Sequence, residues 1–186
     1  MIVLASRSPQ RRALLAALGV EFRVLAPRVD EGEDPLANAR AKARAARERA
    51  GGGATAVLAC DTEVLLDGRA LGKPPDAARA REMLGALAGR EHRVRSALVL
   101  ARGGAEDHRV VDTAVRLRPV DPAMADWYVA TGEWRDRAGG YAIQGAGAAL
   151  VEGIDGDYSN VVGLPVSALV ELLAGAGLAP WSRPAP

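Results

Sequence analysis

The sequence of 186 residues lacks the features that are typical of secreted and membrane proteins. Its single cysteine, Cys60, excludes an internal disulfide framework and fits a reducing compartment. No apolar run reaches the roughly 18 residues of a membrane-spanning helix. Residues 1–5 are too short for a signal peptide and lack its basic region. Together these absences predict a cytoplasmic protein that is not anchored in a membrane.

Neither sign of charge is in excess, since 24 lysines and arginines face 23 acidic residues and the formal net charge is +1. No long-range field therefore favours nucleic acid or a membrane surface as a partner, and any anion site has to be local. Lysine is scarce, with only Lys42 and Lys73 present. An ammonium group is a compact point charge that a guanidinium does not replace, so both lysines are candidates for a specific position in a site.

Common catalytic motifs are missing as well. The sequence has no HExxH motif, no paired CxxC motif and no G-x-S-x-G elbow. Gly72-Lys73-Pro74 is similar to the end of a P-loop, but Pro74 stands where a magnesium-binding hydroxyl belongs. His92 precedes a predicted strand and is interpreted as a hydrogen-bonded structural residue.

Hydrophobic periodicity and turn residues predict an α/β protein with a mixed sheet. The predicted strands are 2–5, 22–25, 55–60, 63–71 with a hairpin turn at Asp67-Gly68, 93–101, 109–117 and 148–152. The predicted helices are 9–18, 35–50 ended by glycines 51–53, 76–88, 121–130 and 165–174. Residues 134–147 are predicted to form a structured loop, 157–165 a turn, and residues 178–186 a loose tail. Neither an internal repeat nor a linker is evident, which predicts one domain over 1–186.

The first helix begins differently from the others. Ser8 followed by Pro9 predicts an N-cap and a first helical position. Three later helices begin at an aspartate, namely Asp34, Asp76 and Asp121. The first helix has arginines instead, namely Arg7, Arg11 and Arg12. Each cation at an exposed helix N-terminus costs about 0.3–1 kcal/mol. Either these groups bind a phosphate together with the helix amides, or this helix end is only a solvated basic surface.

Two further segments contain candidate chemistry. Asp61 follows the most apolar strand of the N-terminal half, and its carboxylate could bind a divalent cation or accept a proton from water; alternatively, it terminates the strand in a turn. In 131–145, glycines flank Tyr141 and Gln144 and allow a close approach of backbone to ligand. The Gln144 amide suits the imide edge of uracil or thymine, because it donates and accepts side by side. The alternative is a loop that folds on itself, with Gln144 bonded to backbone.

Together these segments resemble the Maf family of nucleoside triphosphate pyrophosphatases over nearly the whole chain. The matching segments follow the family order: LASRSPQRRALL at 4–15, 36–43, Cys60-Asp61-Thr62, Gly72-Lys73-Pro74, 89–94, 131–145 and 156–165. The resemblance implies a two-lobed Maf/ITPase-like α/β fold with an elongated mixed sheet and a cleft between the lobes. It also implies a homodimer that hydrolyses a nucleoside triphosphate to the monophosphate and diphosphate, with a divalent metal, Mg²⁺ or Mn²⁺, as cofactor.

The resemblance also implies functions for single residues. Asp61 matches the catalytic acid, which accepts a proton from the water that attacks the α-phosphorus. The positions associated with base choice in the branch acting on dTTP and UTP are Arg11, Thr62 and Gln144. The polar positions that line the phosphate cleft are Ser6, Ser8, Lys42 and Lys73. The implied metal ligands are Asp61 and Glu31.

Two departures from the family pattern leave questions open. Gln10 replaces the first arginine of the usual Ser-Pro-Arg-Arg, so Arg12 either faces the cleft in compensation or points to solvent. Glu63 stands where an apolar residue is usual, and it either joins the metal site or points to solvent. The expected house-cleaning substrates are dTTP, UTP and modified pyrimidine triphosphates. The alternatives are the same reaction on 7-methyl-GTP, or a nucleotide-binding regulator of cell division whose hydrolysis is incidental.

Overall fold

The computed structural model of the chain describes residues 1–51 and 56–182. Its strands are β1 (Ile2–Leu4), β2 (Phe22–Val24), β3 (Ala56–Leu66), β4 (Arg69–Leu71), β5 (Glu91–Arg102), β6 (Ala105–Leu117) and β7 (Val151–Asp155). Its helices are α1 (Pro9–Ala17), α2 (Pro35–Arg49), α3 (Ala77–Leu87), α4 (Pro122–Thr131), α5 (Tyr158–Val162) and α6 (Val166–Gly175). Short 3₁₀ segments cover Ala138–Gly140, Gly145–Leu150 and Pro180–Ser182. The predicted α/β class is confirmed.

The strands form one seven-stranded mixed sheet in the order β2-β1-β3-β5-β6-β7, with β4 beside β3. Strand β1 is parallel to both neighbours, and Ile2 lies opposite Phe22 and Ala56. Parallel neighbours require crossover connections, which α1 and α2 supply. All three residues of β1 are buried, as expected for a strand covered on both faces. Strand β3 is antiparallel to β4, and β6 is antiparallel to β7.

The N-cap predicted at Ser8 and the hairpin turn predicted at Asp67-Gly68 are confirmed. The side chain of Ser8 accepts from the backbone N–H of Arg11 at the start of α1. The aspartates predicted at the starts of the later helices are the N-caps of α2, α3 and α4 and make equivalent bonds. Between β3 and β4, Asp67 and Gly68 have φ values of 51° and 77°, which match a type I′ turn. These features are local, so a few neighbouring residues suffice to determine them.

The chain divides into two compact units. The first contains Met1–Asp61, Ser96–Val111 and Gly163–Pro186, and the second contains Thr62–Arg95 and Asp112–Val162. The first unit has two apolar clusters. One packs Leu15 of α1 and Leu169 of α6 with Leu58 of β3, and the other packs alanines of α2 with Val57 and Val99. Alternate residues of a strand face opposite sides of the sheet, so β3 contributes to both clusters.

The second unit is built around one apolar cluster in which Tyr128 is completely buried. The Tyr128 hydroxyl accepts from the backbone N–H of Ala142 at 2.9 Å. Burial raises the pKa of Tyr128 to about 12, so the hydroxyl stays neutral. Trp134 Nε1 donates to the carbonyl of Val129 at 3.0 Å. These two bonds order the segment 134–147, which was predicted to be a structured loop.

Several boundaries differ from the prediction, and the start of β6 at Ala105 instead of residue 109 is one of them. Asp61 does not follow a strand but lies within β3, which runs unbroken from Ala56 to Leu66. The strand predicted at 148–152 begins at Val151, because the preceding residues form a 3₁₀ segment. The turn predicted at 157–165 contains α5, whose start is capped by the Asp157 carboxylate accepting from the backbone of Ser159 and Asn160.

The C-terminal chain stays packed beyond Gly177. Ala179 is buried, and Leu178 packs against the first apolar cluster. Other predictions fall outside the described residues: Thr55 as the start of a strand, glycines 52 and 53 as the end of α2, and residues 183–186 as a loose tail. Within the described parts of the chain, none of the helices has the length and apolar character needed to cross a membrane.

Gly147 provides a test of the packing in the second unit. A Cβ atom at this position would overlap the backbone carbonyl of Ala142, which the tight loop cannot move cheaply. We expect Gly147→Ala to lower the free energy of unfolding by about 1–3 kcal/mol, as overpacking typically does. The matched control is Gly85→Ala in α3, where there is open space and alanine raises helix stability by about 0.5–1 kcal/mol. Denaturant unfolding of both variants checks this, and equal stability of the two would contradict it.

Candidate active site

Arg11 joins three segments of the first unit. Its Nε donates to the carbonyl of Gly163 at 2.8 Å, and its Nη1 donates to the carbonyl of Cys60 at 2.7 Å. Nη1 also donates to Ser6 Oγ at 3.1 Å. The guanidinium therefore fixes the loop between β1 and α1 against β3 and against the residues before α6. Its contact on β3 is the residue directly before Asp61.

The two serines predicted to bind phosphate lie in this same loop. Ser6 is buried, and its Oγ accepts from the backbone N–H of Ser8 at 3.3 Å as well as from Arg11. Ser8 caps α1 and donates from its hydroxyl to Gln10 Oε1 at 3.2 Å. The bonds of Ser6 use its oxygen as an acceptor, which leaves its hydroxyl proton available to an oxyanion. Arg12 is exposed.

Lys42 joins two carboxylates in the first unit. Its Nζ lies 2.6 Å from Asp61 Oδ1 and 2.8 Å from Glu31 Oε1. The side chains of Lys42 and Asp61 are only 11% and 14% exposed, whereas that of Glu31 is 51% exposed. Water screens the inner pair weakly, so the attraction between Lys42 and Asp61 exceeds that of an ordinary surface pair. Two predicted metal ligands and a predicted phosphate ligand thus share one cluster.

The second oxygen of Asp61 is bound by a residue that the sequence analysis missed. Asn38 Nδ2 donates to Asp61 Oδ2 at 2.9 Å. Asn38 also binds both backbone polar groups of Gly32. Its Nδ2 donates to the carbonyl at 2.8 Å, and its Oδ1 accepts from the N–H at 2.7 Å. The sequence did contain a signal, because Asn38 lies four residues before Lys42 and therefore on the same face of α2.

The remaining predicted site residues belong to the second unit. Thr62 follows Asp61 directly in β3, and Glu63 is the next residue; both are half-buried. Lys73 and Gln144 are exposed.

The segments that contain Lys73 and Gln144 pack against each other within the second unit. The backbone N–H of Gly139 donates to the carbonyl of Gly72 at 3.1 Å. The chain after Gln144 is held by the Glu133 carboxylate, which accepts from the backbone of Ala146 at 3.0 Å and of Gly147 at 3.1 Å. The loop therefore fixes the backbone on both sides of Gln144 while its side chain stays exposed.

The oxygen donors of the first unit suit a hard divalent cation. Within residues 1–51 and 56–182, no group of three or more His, Cys, Asp or Glu side chains could hold a metal ion. Glu31 and Asp61 nevertheless both contact the single ammonium of Lys42, so one cation position is within reach of both carboxylates. Mg²⁺ is commonly bound by one or two carboxylates together with substrate phosphates. The donor set fits a hard divalent cation that takes its remaining ligands from outside the protein.

Comparison with known proteins gives the family of the chain. Residues 1–176 match the family model described as Maf-like protein. The chain belongs to the Maf family. One relative of this Maf protein, the dTTP/UTP pyrophosphatase of Anaeromyxobacter sp. (strain Fw109-5), is 50% identical over 191 residues, covering 98% of this chain and 93% of the relative. The dTTP/UTP pyrophosphatases of Moorella thermoacetica and Myxococcus xanthus are each 47% identical over 190 residues, covering 98% and 97% of this chain and 98% and 95% of themselves.

A buried pair fixes the start of the Gln144 loop in this Maf protein. His92 Nε2 and the Tyr141 hydroxyl are 2.7 Å apart, and the two rings meet edge to face. Among the described residues, His92 Nδ1 has no hydrogen-bond partner. A protonated ring would therefore bury an unpaired N–H, and burial lowers the pKa of His92 to about 4. The structural interpretation of His92 is confirmed.

His92 makes the stability of the Maf protein depend on pH. The unfolded chain protonates this histidine near pH 6.5 and the folded chain near pH 4. The free energy of unfolding should therefore be lost as pH falls through this window, by up to about 1.4 kcal/mol per pH unit. Between pH 7.5 and 4.5, the melting temperature of His92→Gln should fall less steeply with decreasing pH than that of the wild type. His108→Gln, at an exposed position, serves as the control with an unchanged slope. Identical slopes for the wild type and His92→Gln would contradict this assignment.

Proposed function

We propose that the protein is a nucleoside triphosphate pyrophosphatase that hydrolyses dTTP and UTP, and modified pyrimidine triphosphates, to the monophosphate and diphosphate. The observation that supports this most is the Asp61 carboxylate, held by Lys42 on one oxygen and by Asn38 on the other, in a chain 45–50% identical to proteins named dTTP/UTP pyrophosphatase. Such an activity would be a house-cleaning one.

In the proposed reaction Asp61 is the general base. A water oxygen forms a bond to the α-phosphorus while its proton passes to the Asp61 carboxylate. The bond from the α-phosphorus to the bridging oxygen breaks, and its electron pair leaves with the diphosphate. A base of this kind contributes about 10²–10⁴-fold to the rate. Asp61 has oxygen lone pairs left for this proton, because a carboxylate has about four acceptor sites.

The leaving diphosphate needs cationic and hydrogen-bonding partners, because phosphoryl transfer is catalysed chiefly by positioning and charge stabilisation. We assign this to Lys42 and Lys73 as cations, and to the hydroxyls of Ser6 and Ser8 as donors, with Ser8 exchanging its bond to Gln10 Oε1 for a phosphate oxygen. Lys42 would exchange part of its contact with the carboxylates for phosphate oxygens. A divalent metal, Mg²⁺ or Mn²⁺, held by Glu31 and Asp61 would neutralise phosphate charge when bound.

We propose that Arg11, Thr62 and Gln144 select the base. Gln144 is exposed and presents an amide that can pair with the imide edge of uracil or thymine. Arg11 already donates to two backbone carbonyls and to Ser6. Its proposed contribution to selection is therefore to fix the segment before Asp61 and Thr62.

We also propose that the enzyme is a single-domain homodimer in the cytoplasm and binds neither nucleic acid nor membranes. The family resemblance supports the dimer. The balanced charge of the chain supports the lack of polyanionic partners. Cys60 is the single cysteine of the sequence and is buried, which fits a reducing compartment.

The substitution Asp61→Asn tests the proposed base. We expect diphosphate release from dTTP to fall by about 10²–10⁴-fold, because the amide cannot accept the proton of water. The dissociation constant for dTTP, measured by calorimetry, should change little. Glu106→Gln is the matched control, because Glu106 only pairs with Arg40 at the surface, and its activity should equal that of the wild type. Unchanged turnover in Asp61→Asn would contradict the assignment. Wild-type protein that binds nucleotide without hydrolysing it would favour the regulator.

A nucleotide panel tests the base selection. With Mg²⁺ or Mn²⁺ present, kcat/KM should be highest for dTTP and UTP, and the panel should include CTP, GTP and 7-methyl-GTP. Gln144→Leu should lower kcat/KM for dTTP and UTP by about 10–100-fold, because a lost hydrogen-bonding pair in a specific pocket costs about 1–3 kcal/mol. Values for the poorer substrates should change much less. Preference of the wild type for 7-methyl-GTP would contradict the assignments of Thr62 and Gln144.

A further inference from the structure

We propose that Asn38 is a positioning residue for the reaction, which orients the Asp61 carboxylate and holds the Glu31-Gly32 segment beside it. This inference rests on the proposed function, since it assigns Asn38 an effect on the base of that reaction. Asn38 itself is 6% exposed, and its three observed side-chain hydrogen bonds all lie inside the first unit. It therefore acts through Asp61 rather than on substrate.

The spacing of Asn38 and Lys42 fixes the rotation of the Asp61 carboxylate. The two residues are one helical turn apart in α2, so their donors lie on one face of the helix. Lys42 Nζ binds Oδ1 at 2.6 Å, and Asn38 Nδ2 binds Oδ2 at 2.9 Å. A carboxylate bound at only one oxygen can turn about its terminal bond. One bound at both oxygens by the same helix face presents its remaining lone pairs in a single direction.

The contacts of Asn38 with Gly32 also hold the segment that contains the second carboxylate, Glu31. Asn38 Oδ1 accepts from the Gly32 N–H at 2.7 Å, while Nδ2 donates to the Gly32 carbonyl at 2.8 Å. The peptide backbone next to Glu31 is thereby fixed relative to α2. Because Glu31 also binds Lys42, the Asn38 amide and the Lys42 ammonium together fix the positions of the two carboxylates relative to each other.

Only an amide of this size satisfies all three contacts. Asn38 faces two acceptors, the Asp61 carboxylate and the Gly32 carbonyl, with its NH₂ group, and faces one donor with its oxygen. The reverse orientation would place oxygen against oxygen twice. Aspartate has no NH₂ donor, and leucine has neither donor nor acceptor. Asparagine is disfavoured inside helices, so these bonds must offset its low propensity at a buried position of α2.

The first experiment measures turnover of dTTP by Asn38→Asp and Asn38→Leu. Asn38→Asp preserves shape but turns a second carboxylate toward Asp61, and Asn38→Leu preserves size without polarity. We expect kcat to fall by about 10–100-fold in both, as is typical when a residue that orients a functional side chain is lost, while KM for dTTP changes less than about threefold. The matched control is Arg40→Gln in the same helix, whose side chain pairs with Glu106 at the surface and whose kcat should equal that of the wild type.

The second experiment needs no turnover. Melting temperatures are measured for Asn38→Leu, Asp61→Ala and the double variant, in the absence of nucleotide and added metal. A direct bond predicts that the double variant loses less than the sum of the two single losses, because either substitution alone already removes the bond. The same cycle with Arg40→Gln in place of Asn38→Leu should be additive. If Asn38→Leu is too unstable for the assay, Asn38→Ala replaces it in the cycle, because alanine removes the bond without placing a new charge beside Asp61.

The outcomes separate this inference from the proposed function. Wild-type protein that releases no diphosphate from any nucleotide would overturn the proposed function, and with it the catalytic effect of Asn38. An active wild type with kcat retained in both Asn38 variants would overturn the inference alone. So would a rise in KM at unchanged kcat, which would mean a function in binding, or an additive cycle, which would mean that Asn38 does not orient Asp61. A fall in kcat with a non-additive cycle would support it.

Discussion

The negative charge of Asp61 lies inside strand β3, where the side chain is only 14% exposed. A carboxylate removed from water to this extent needs charged or hydrogen-bonding partners, because an uncompensated charge at such a position is costly. The chain supplies them from one helix, with Lys42 on one oxygen and Asn38 on the other. Much of the polar architecture of the first unit follows from this requirement.

The surrounding fold makes those partners available. Helix α2 packs against the sheet through alanines, and small side chains allow a helix to approach closely. On another side of β3, Arg11 donates to the backbone of Cys60 and of Gly163. A guanidinium can bond several acceptors at once in a fixed geometry, which a lysine could not do here. The arginine that looks unfavourable at a helix N-terminus is therefore partly explained by backbone carbonyls of its own unit.

In the second unit, hydrogen bonds fix the backbone around Gln144 while its side-chain amide stays exposed. Glu133 binds the chain after Gln144, while Tyr128 and the pair of His92 and Tyr141 bind the chain before it. Glycine allows the close approach, since a Cβ at Gly147 would overlap a carbonyl. A rigid backbone with an exposed side chain suits the base selection proposed for Gln144, because selectivity depends on placing a polar group accurately.

The sequence by itself determined what neighbouring residues decide. Helix starts at Ser8 and the capping aspartates, the turn at Asp67-Gly68 and the α/β alternation depend on contacts a few residues long, and the family motifs lie in order along the chain. Only the tertiary structure decided the partners of Asp61 and Arg11, because those bonds join residues as far as 23 and 152 positions apart. It also decided that β3 continues through Asp61, where a polar residue in an apolar run signals an end by local pattern alone. Asn38 was missed although its spacing from Lys42 places both on one face of α2, because nothing within the helix shows that a carboxylate lies opposite that face.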